Sequence, residues 1–118
     1  MSNELKKLIA EINQFREERD WKKFHNEKDL AVSIVLESAE LLELFQWKSA
    51  EETTHQKVGA LSEELADIFI YCLMMADNLD LDPASIIQAK LESNREKYPV
   101  AKAFGRSTKY NEFGADDR

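Results

Sequence analysis

Apolar residues recur three and four positions apart along almost the whole chain, the spacing of a helix face and not the alternation of a strand. Leu5, Leu8, Ile9, Ile12 and Phe15 form one stripe on a segment expected to be helical from about residue 3 to 19, with charged residues on its other faces. That places the first helix on the outside of the fold. A second helix is expected from about 29 to 48, with Asn26 or Asp29 as its N-cap. Its apolar residues, from Leu30 to Phe45, point nearly all round, as they do on a helix surrounded by others. Ser49 and Glu52 have capping-box spacing and open either a short helix or the next long one, with a break expected at Gly59. A third long helix, from about 58 to 79, is again apolar on most sides. Asp82-Pro83 is an N-cap followed by proline at the first helical position, and the fourth helix it opens stops at Tyr98-Pro99.

Glycine (3) and proline (2) are too scarce for a β protein, and four main helices imply an all-α four-helix bundle. Residues 1–113 read as one domain and 114–118 as a mobile tail. The second and third helices carry more apolar surface than one thin bundle covers. Either they form a fully buried central pair, or a homo-oligomer buries the surplus; the second reading is favoured.

The chain has 118 residues, enough to bury roughly two-thirds of its unfolded surface without a disulfide or structural metal. Its one cysteine, Cys72, excludes an intramolecular disulfide framework and a multi-cysteine zinc site, and its apolar neighbours mark it as a core residue. No apolar run approaches the roughly 18 residues of a membrane span, and the N-terminal stretch is amphipathic and acid-bearing, unlike a signal peptide. The expectation is a soluble, cytoplasmic protein without a membrane partner. A net charge of −7 argues against a nucleic-acid partner, which calls for a basic face.

At about 100° per residue, Glu64, Asp67, Tyr71 and Asn78 share one stripe of the third helix, and Glu37 and Glu40 share one on the second. Each helix thus presents two carboxylates on one face. Four facing carboxylates repel one another and cost several kcal/mol to desolvate. These helices hold almost no interior Lys or Arg to pair with them. A solvated acidic face is the ordinary explanation of a single E-x-x-E; two such pairs on otherwise buried helices point instead to a divalent cation. Oxygen ligands without Cys or His suit Mg²⁺ or Mn²⁺ rather than zinc.

Glu37-Ser-Ala-Glu40 followed by Glu64-Leu-Ala-Asp67 resembles the E-x-x-E…E-x-x-D motif of the MazG-like, all-α nucleoside triphosphate pyrophosphohydrolases. Arg19-Asp20-Trp21, Phe24-His25, the run from Glu40 to Trp47-Lys48, and Lys97-Tyr98-Pro99 resemble the dCTP pyrophosphatase branch. The resemblance implies Mg²⁺-dependent cleavage of a (d)NTP between its α- and β-phosphates, giving a monophosphate and pyrophosphate in nucleotide house-cleaning. Glu37, Glu40, Glu64 and Asp67 would hold the metal, and Glu37 or Glu40 would also orient the attacking water. Trp21, His25 and Trp47 would sandwich the base, with Tyr71 near a ligating carboxylate or the sugar. Lys90, Asn94 and Lys97 lie on one helix face and would contact phosphate or sugar, joined by Arg106, Lys109 and Tyr110 from the basic C-terminal segment. The family also implies a dimer or tetramer with pockets completed across subunits. Asn26-Glu27-Lys28-Asp29 stands where many relatives carry a proline, a departure that bears on the aromatic pocket and not on the carboxylates.

Two rivals are weaker. A di-iron bundle needs two Glu-x-x-His pairs, and this chain has one such spacing, Glu52 with His55, on a polar segment. A non-enzymatic helical adaptor accounts for the apolar surplus and not for inward acids without inward bases.

Overall fold

The structure is a computed structural model that describes residues 3–114. It is all-α, with six helices and two 3₁₀ turns among the described residues. The expected tail lies outside the described residues except for Gly114. Contacts divide the chain into two compact units at the Asp82–Pro83 junction.

The first unit holds α1 (Asn3–Glu18), a 3₁₀ turn (Lys22–Phe24), α2 (Glu27–Glu43), α3 (Ala50–Gln56) and α4 (Val58–Asn78). Helices α2 and α4 pack against each other and form its frame, while α1 and α3 lie against α4. Asn26 caps α2, its side-chain oxygen accepting from the Asp29 amide at 2.9 Å. Ser49 does the same for α3 by accepting from Glu52 at 3.1 Å, so the capping-box spacing opens the short helix. The break before α4 falls at Lys57, two residues ahead of the expected Gly59.

Two helices end in the same way. After α1, Asp20 takes φ 55°, the Trp21 amide donates to the Arg16 carbonyl (2.9 Å) and the Asp20 amide to Glu17 (3.1 Å). After α4, Asp80 takes φ 54°, with Leu81 donating to Ala76 (2.8 Å) and Asp80 to Asp77 (3.1 Å). Both are Schellman ends in which a short acidic side chain occupies the left-handed position that glycine usually fills.

Helix α2 stops at Glu43 and not near residue 48. Phe45, Gln46 and Lys48 donate three residues back, to Leu42, Glu43 and Phe45, which tightens the chain out of the α-helical path. Trp47 completes that exit at φ 65°, a left-handed backbone that is strained for so bulky a residue. The Thr53 hydroxyl, fully buried, donates to the Leu44 carbonyl and ties α3 to this turn.

The apolar core of the chain is small: Ile9, Leu30, Met74 and Ala76 are buried. The alternative of a fully buried central pair fails within one chain. On α2 and α4, Leu42 (71%), Val35 (65%) and Phe69 (62%) remain open, because only one face of each helix meets the other. Cys72 is likewise exposed on α4, contrary to its reading as a core residue.

The second unit holds α5 (Pro83–Lys97), which starts at its proline as expected, then α6 (Val100–Ala103) and a 3₁₀ turn (Tyr110–Glu112). The Tyr98 ring meets the edges of Tyr110 and Phe113, each at 6.0 Å between centroids.

Candidate functional site

Glu37 and Glu40 lie one turn apart on α2, and the packing of α2 on α4 brings Glu64 to them. One carboxylate oxygen from each of the three falls within 4.8 Å of the others. Glu37 Oε2 and Glu64 Oε2 are buried, and with both carboxylates ionised neither finds a hydrogen-bond donor. The Glu37 carboxyl is pushed up to about 7, first by its hydrogen bond with the Glu64 carboxyl, then by burial, then by Glu40 and the charge of Asp67. Two carboxylates bond to each other only when one keeps a proton, so the group holds more negative charge than it tolerates unaided. No Lys or Arg occurs in α4, and Lys28 in the first turn is the one basic residue of α2. Three clustered carboxylates with orphaned oxygens form a donor set suited to a hard divalent cation. Among the described residues no histidine belongs to the group, so it lacks the Glu-x-x-His pairs that a di-iron bundle uses. Asp67 lies outside the tightest set, although its charge raises both Glu37 and Tyr71.

Asp67 also lines a cleft of about 610 Å³ formed by α1, the 21–25 segment and α4. Its walls are apolar (Leu8, Ile12, Phe15, Phe69, Ile70, Leu73), and its polar rim includes Trp21, His25 and Tyr71. The Trp21 ring is held edge-on to Phe15 at 5.6 Å between centroids. His25 Nδ1 is buried without a partner. Burial lowers the His25 pKa, and the positive charge of Arg16 lowers it further, so the imidazole stays neutral at pH 7. Burial raises the Tyr71 phenol, the charges of Glu37 and Asp67 add to this, and the opposing hydrogen bond with Ser33 does not reverse it. The cleft therefore combines aromatic and apolar walls with the polar groups of Trp21, His25 and Tyr71, carries the Glu11 carboxylate on its α1 side, and reaches the acidic stripe through Asp67. Its volume lies in the range of small-molecule sites, about 300–1,000 Å³.

The remaining expected residues are distributed as follows. Trp47 is 93% exposed and does not line the cleft. Lys90, Arg106, Lys109 and Tyr110 are exposed in the second unit, and Asn94 and Lys97 half-buried there. Lys97 Nζ sits 4.9 Å from the centre of the Tyr110 ring, a cation–π contact that explains their pairing without a ligand.

Sequence reasoning missed the apolar wall as a ligand surface, because a stripe of Ile12, Phe15, Phe69 and Leu73 reads as core. It also missed Arg16, which is fully buried and joined to Asn13, Asp77 and Asn78. The signal was present: Arg16 stands four after Ile12 and seven after Ile9, on the apolar stripe of α1.

A profile of the MazG-like family matches residues 32–113. The dCTP pyrophosphatase 1 of mouse is 38% identical over 114 residues, covering 92% of this chain and 65% of the mouse protein. The bovine protein of that name is 39% identical over 114 residues, covering 92% of this chain and 66% of its own length. The chain thus spans just under two-thirds of these relatives. A crystal structure of a pyrophosphatase from Archaeoglobus fulgidus superposes with a TM-score of 0.79 at 39% identity, covering 84% of this chain and 95% of that one.

Proposed function

The chain belongs to the MazG-like family, and from that premise we propose that it is a Mg²⁺-dependent nucleoside triphosphate pyrophosphohydrolase of the cytoplasm. The observation that carries this reading is the triad Glu37, Glu40 and Glu64, with two buried unpartnered oxygens, next to a cleft rimmed by Trp21, His25 and Tyr71. Glu37, Glu40 and Glu64 would hold the ion, with Asp67 as a fourth ligand. When bound, Mg²⁺ neutralises phosphate charge and makes water a better nucleophile.

The chain's own groups supply the rest. The water oxygen attacks the α-phosphorus while the bond from that phosphorus to the bridging oxygen breaks, releasing pyrophosphate. Glu37 or Glu40 orients the water and takes its proton. Trp21 offers a ring face for the base, and stacking of this kind contributes about 1–3 kcal/mol per base. His25 and Tyr71 offer neutral polar groups for the base edge or sugar. Such a pocket suits a deoxynucleotide such as dCTP, the substrate in the name of the mammalian relatives. Lys90, Asn94, Lys97, Arg106, Lys109 and Tyr110 are the phosphate- and sugar-contacting candidates.

Trp47, the open faces of α2 and α4, and the size of the buried core together favour a homodimer or homotetramer. Apolar area of this extent on a monomer is uncommon. A second subunit would cover it and bring Trp47 to a neighbouring pocket.

The deciding assay presents a panel of dNTPs and NTPs with Mg²⁺ and separates monophosphate plus pyrophosphate from diphosphate plus phosphate. The expected products are the former pair, lost in EDTA, with a deoxypyrimidine ranked high. Diphosphate and phosphate as products, or turnover that survives EDTA, would overturn the proposal. Light scattering on the same sample measures the assembly.

A further inference from the structure

The most deeply buried charge among the described residues is not at the carboxylate group. Arg16 is wholly inaccessible. Its Nη2 donates to Asn13 Oδ1 at 2.6 Å and lies 3.8 Å from Asp77 Oδ2, while Nη1 reaches Asn78 Oδ1 at 3.4 Å. Asn13 Nδ2 donates to Asp77 Oδ2 at 3.0 Å, joining the ends of α1 and α4. As a stabiliser this arrangement is poor. Arg16 Nε is buried without a partner, and the contacts to Asn78 and Asp77 are long. An apolar side chain of similar length would bridge the two helices at no greater cost.

What an apolar side chain lacks is direction. Because Arg16 engages Asn78 Oδ1, the amide must turn its Nδ2 the other way, and that nitrogen donates to the His25 carbonyl at 2.6 Å. The Arg16 carbonyl meanwhile accepts from the Trp21 amide at 2.9 Å. The backbone thus holds the segment at Trp21 whatever side chain residue 16 carries, and the Arg16–Asn78 side-chain network holds it at His25. Packing holds the Trp21 end through the edge contact with Phe15, whereas Phe24 in the middle of the segment is 60% exposed.

We propose that Arg16 and Asn78 are positioning residues for nucleotide binding, holding the 21–25 segment so that Trp21 and His25 form one wall of the cleft. The proposal rests on the reading of that cleft as the nucleoside pocket. Arg16 and Asn78 touch neither the carboxylate triad nor the space the nucleotide occupies. Their effect is on where Trp21 and His25 stand.

The test uses Arg16→Met, Asn78→Ala and the double variant in the full chain. KM for the best nucleotide should rise about tenfold with kcat within about twofold of the parent, the split expected when a binding wall shifts and the chemistry does not. The double variant should be no worse than the more affected single one, because the two residues act in series. The rise in melting temperature on adding Mg²⁺ should be unchanged. The chain has two histidines, so the ring proton of His25 is readily separated from that of His55, and it should shift in both single variants while His55 stays in place. An unchanged KM, or losses of KM, kcat and the Mg²⁺ response in parallel, would overturn the proposal. If Arg16→Met does not fold, Asn78→Ala alone decides. If the parent turns over no nucleotide, the functional reading fails by itself, and an unmoved His25 resonance in Asn78→Ala then rejects the positioning role separately.

Discussion

Two places in the first unit draw charge in from solvent, Arg16 wholly and Glu37 and Glu64 by half beside an exposed Glu40, and they do so in opposite ways. At Arg16 the guanidinium meets two amide oxygens and one carboxylate of its own chain, with Nε alone left without a partner. At Glu37, Glu40 and Glu64 the charges are of one sign, and two oxygens face no donor. The first arrangement orients its neighbours; the second is incomplete until a cation arrives. The company a buried charge keeps, more than its burial, separates a positioning device from a binding site.

The largest effect that would break this comparison lies at the carboxylates. Glu40→Ala, Glu64→Gln or Asp67→Ala should abolish turnover while the metal-free fold persists. Removing one of several like charges should leave the apo melting temperature unchanged or raise it, in contrast to the 3–5 kcal/mol typically lost when one member of a compensated pair is removed. Retained activity in these variants, measured alongside calorimetric melts, would refute the site.

Mg²⁺ itself comes next. A hundredfold excess over its Kd should stabilise the parent by about 2.7 kcal/mol, saturably, and Glu64→Gln should lose that response. Arg16→Met should keep it. Thermal melts across a Mg²⁺ titration distinguish the two.

The pH dependence follows from Glu37, whose folded pKa is raised from 4.5 to about 7. A raised acid favours the folded state while protonated. Its contribution to apo stability is therefore full below about 4.5 and is lost as pH rises through about 7. Mg²⁺ competes with that proton, so the metal-induced stabilisation should fade as pH falls below 7. From pH 5 to 8, melts in EDTA should fall while the increment added by Mg²⁺ grows, so melts in saturating Mg²⁺ should be nearly flat.

Trp21→Ala should raise KM by about tenfold, in line with about 1–3 kcal/mol for stacking, with less effect on kcat. At the small end, the exposed ion pair Arg95–Glu92 at 2.8 Å gives a reference. Glu92→Gln should change stability by less than about 1 kcal/mol in chemical denaturation.

Much of the fold was legible from spacing. The stripes of α1 and α4, the caps at Asn26 and Ser49 and the start of α5 at Pro83 are local features, governed by neighbours within a turn or two. The early end of α2 was not, because nothing near Trp47 announces a left-handed residue. Local periodicity also could not say which apolar positions one chain covers. It treated Cys72 and Phe69 as interior, whereas covering them takes a second surface that α2 alone does not provide.

The site divides along the same line. The sequence by itself determined the helices and placed pairs of carboxylates on their faces, since helical geometry sets which residues share a side. Only the tertiary structure decided that Glu64 joins Glu37 and Glu40 while Asp67 opens onto the cleft, that Trp21 and His25 meet Tyr71 there, and that Arg16 is buried. Those facts depend on how α1, α2 and α4 rotate and cross, and that is set by contacts between residues as far apart as Asn13 and Asp77, which no local pattern records.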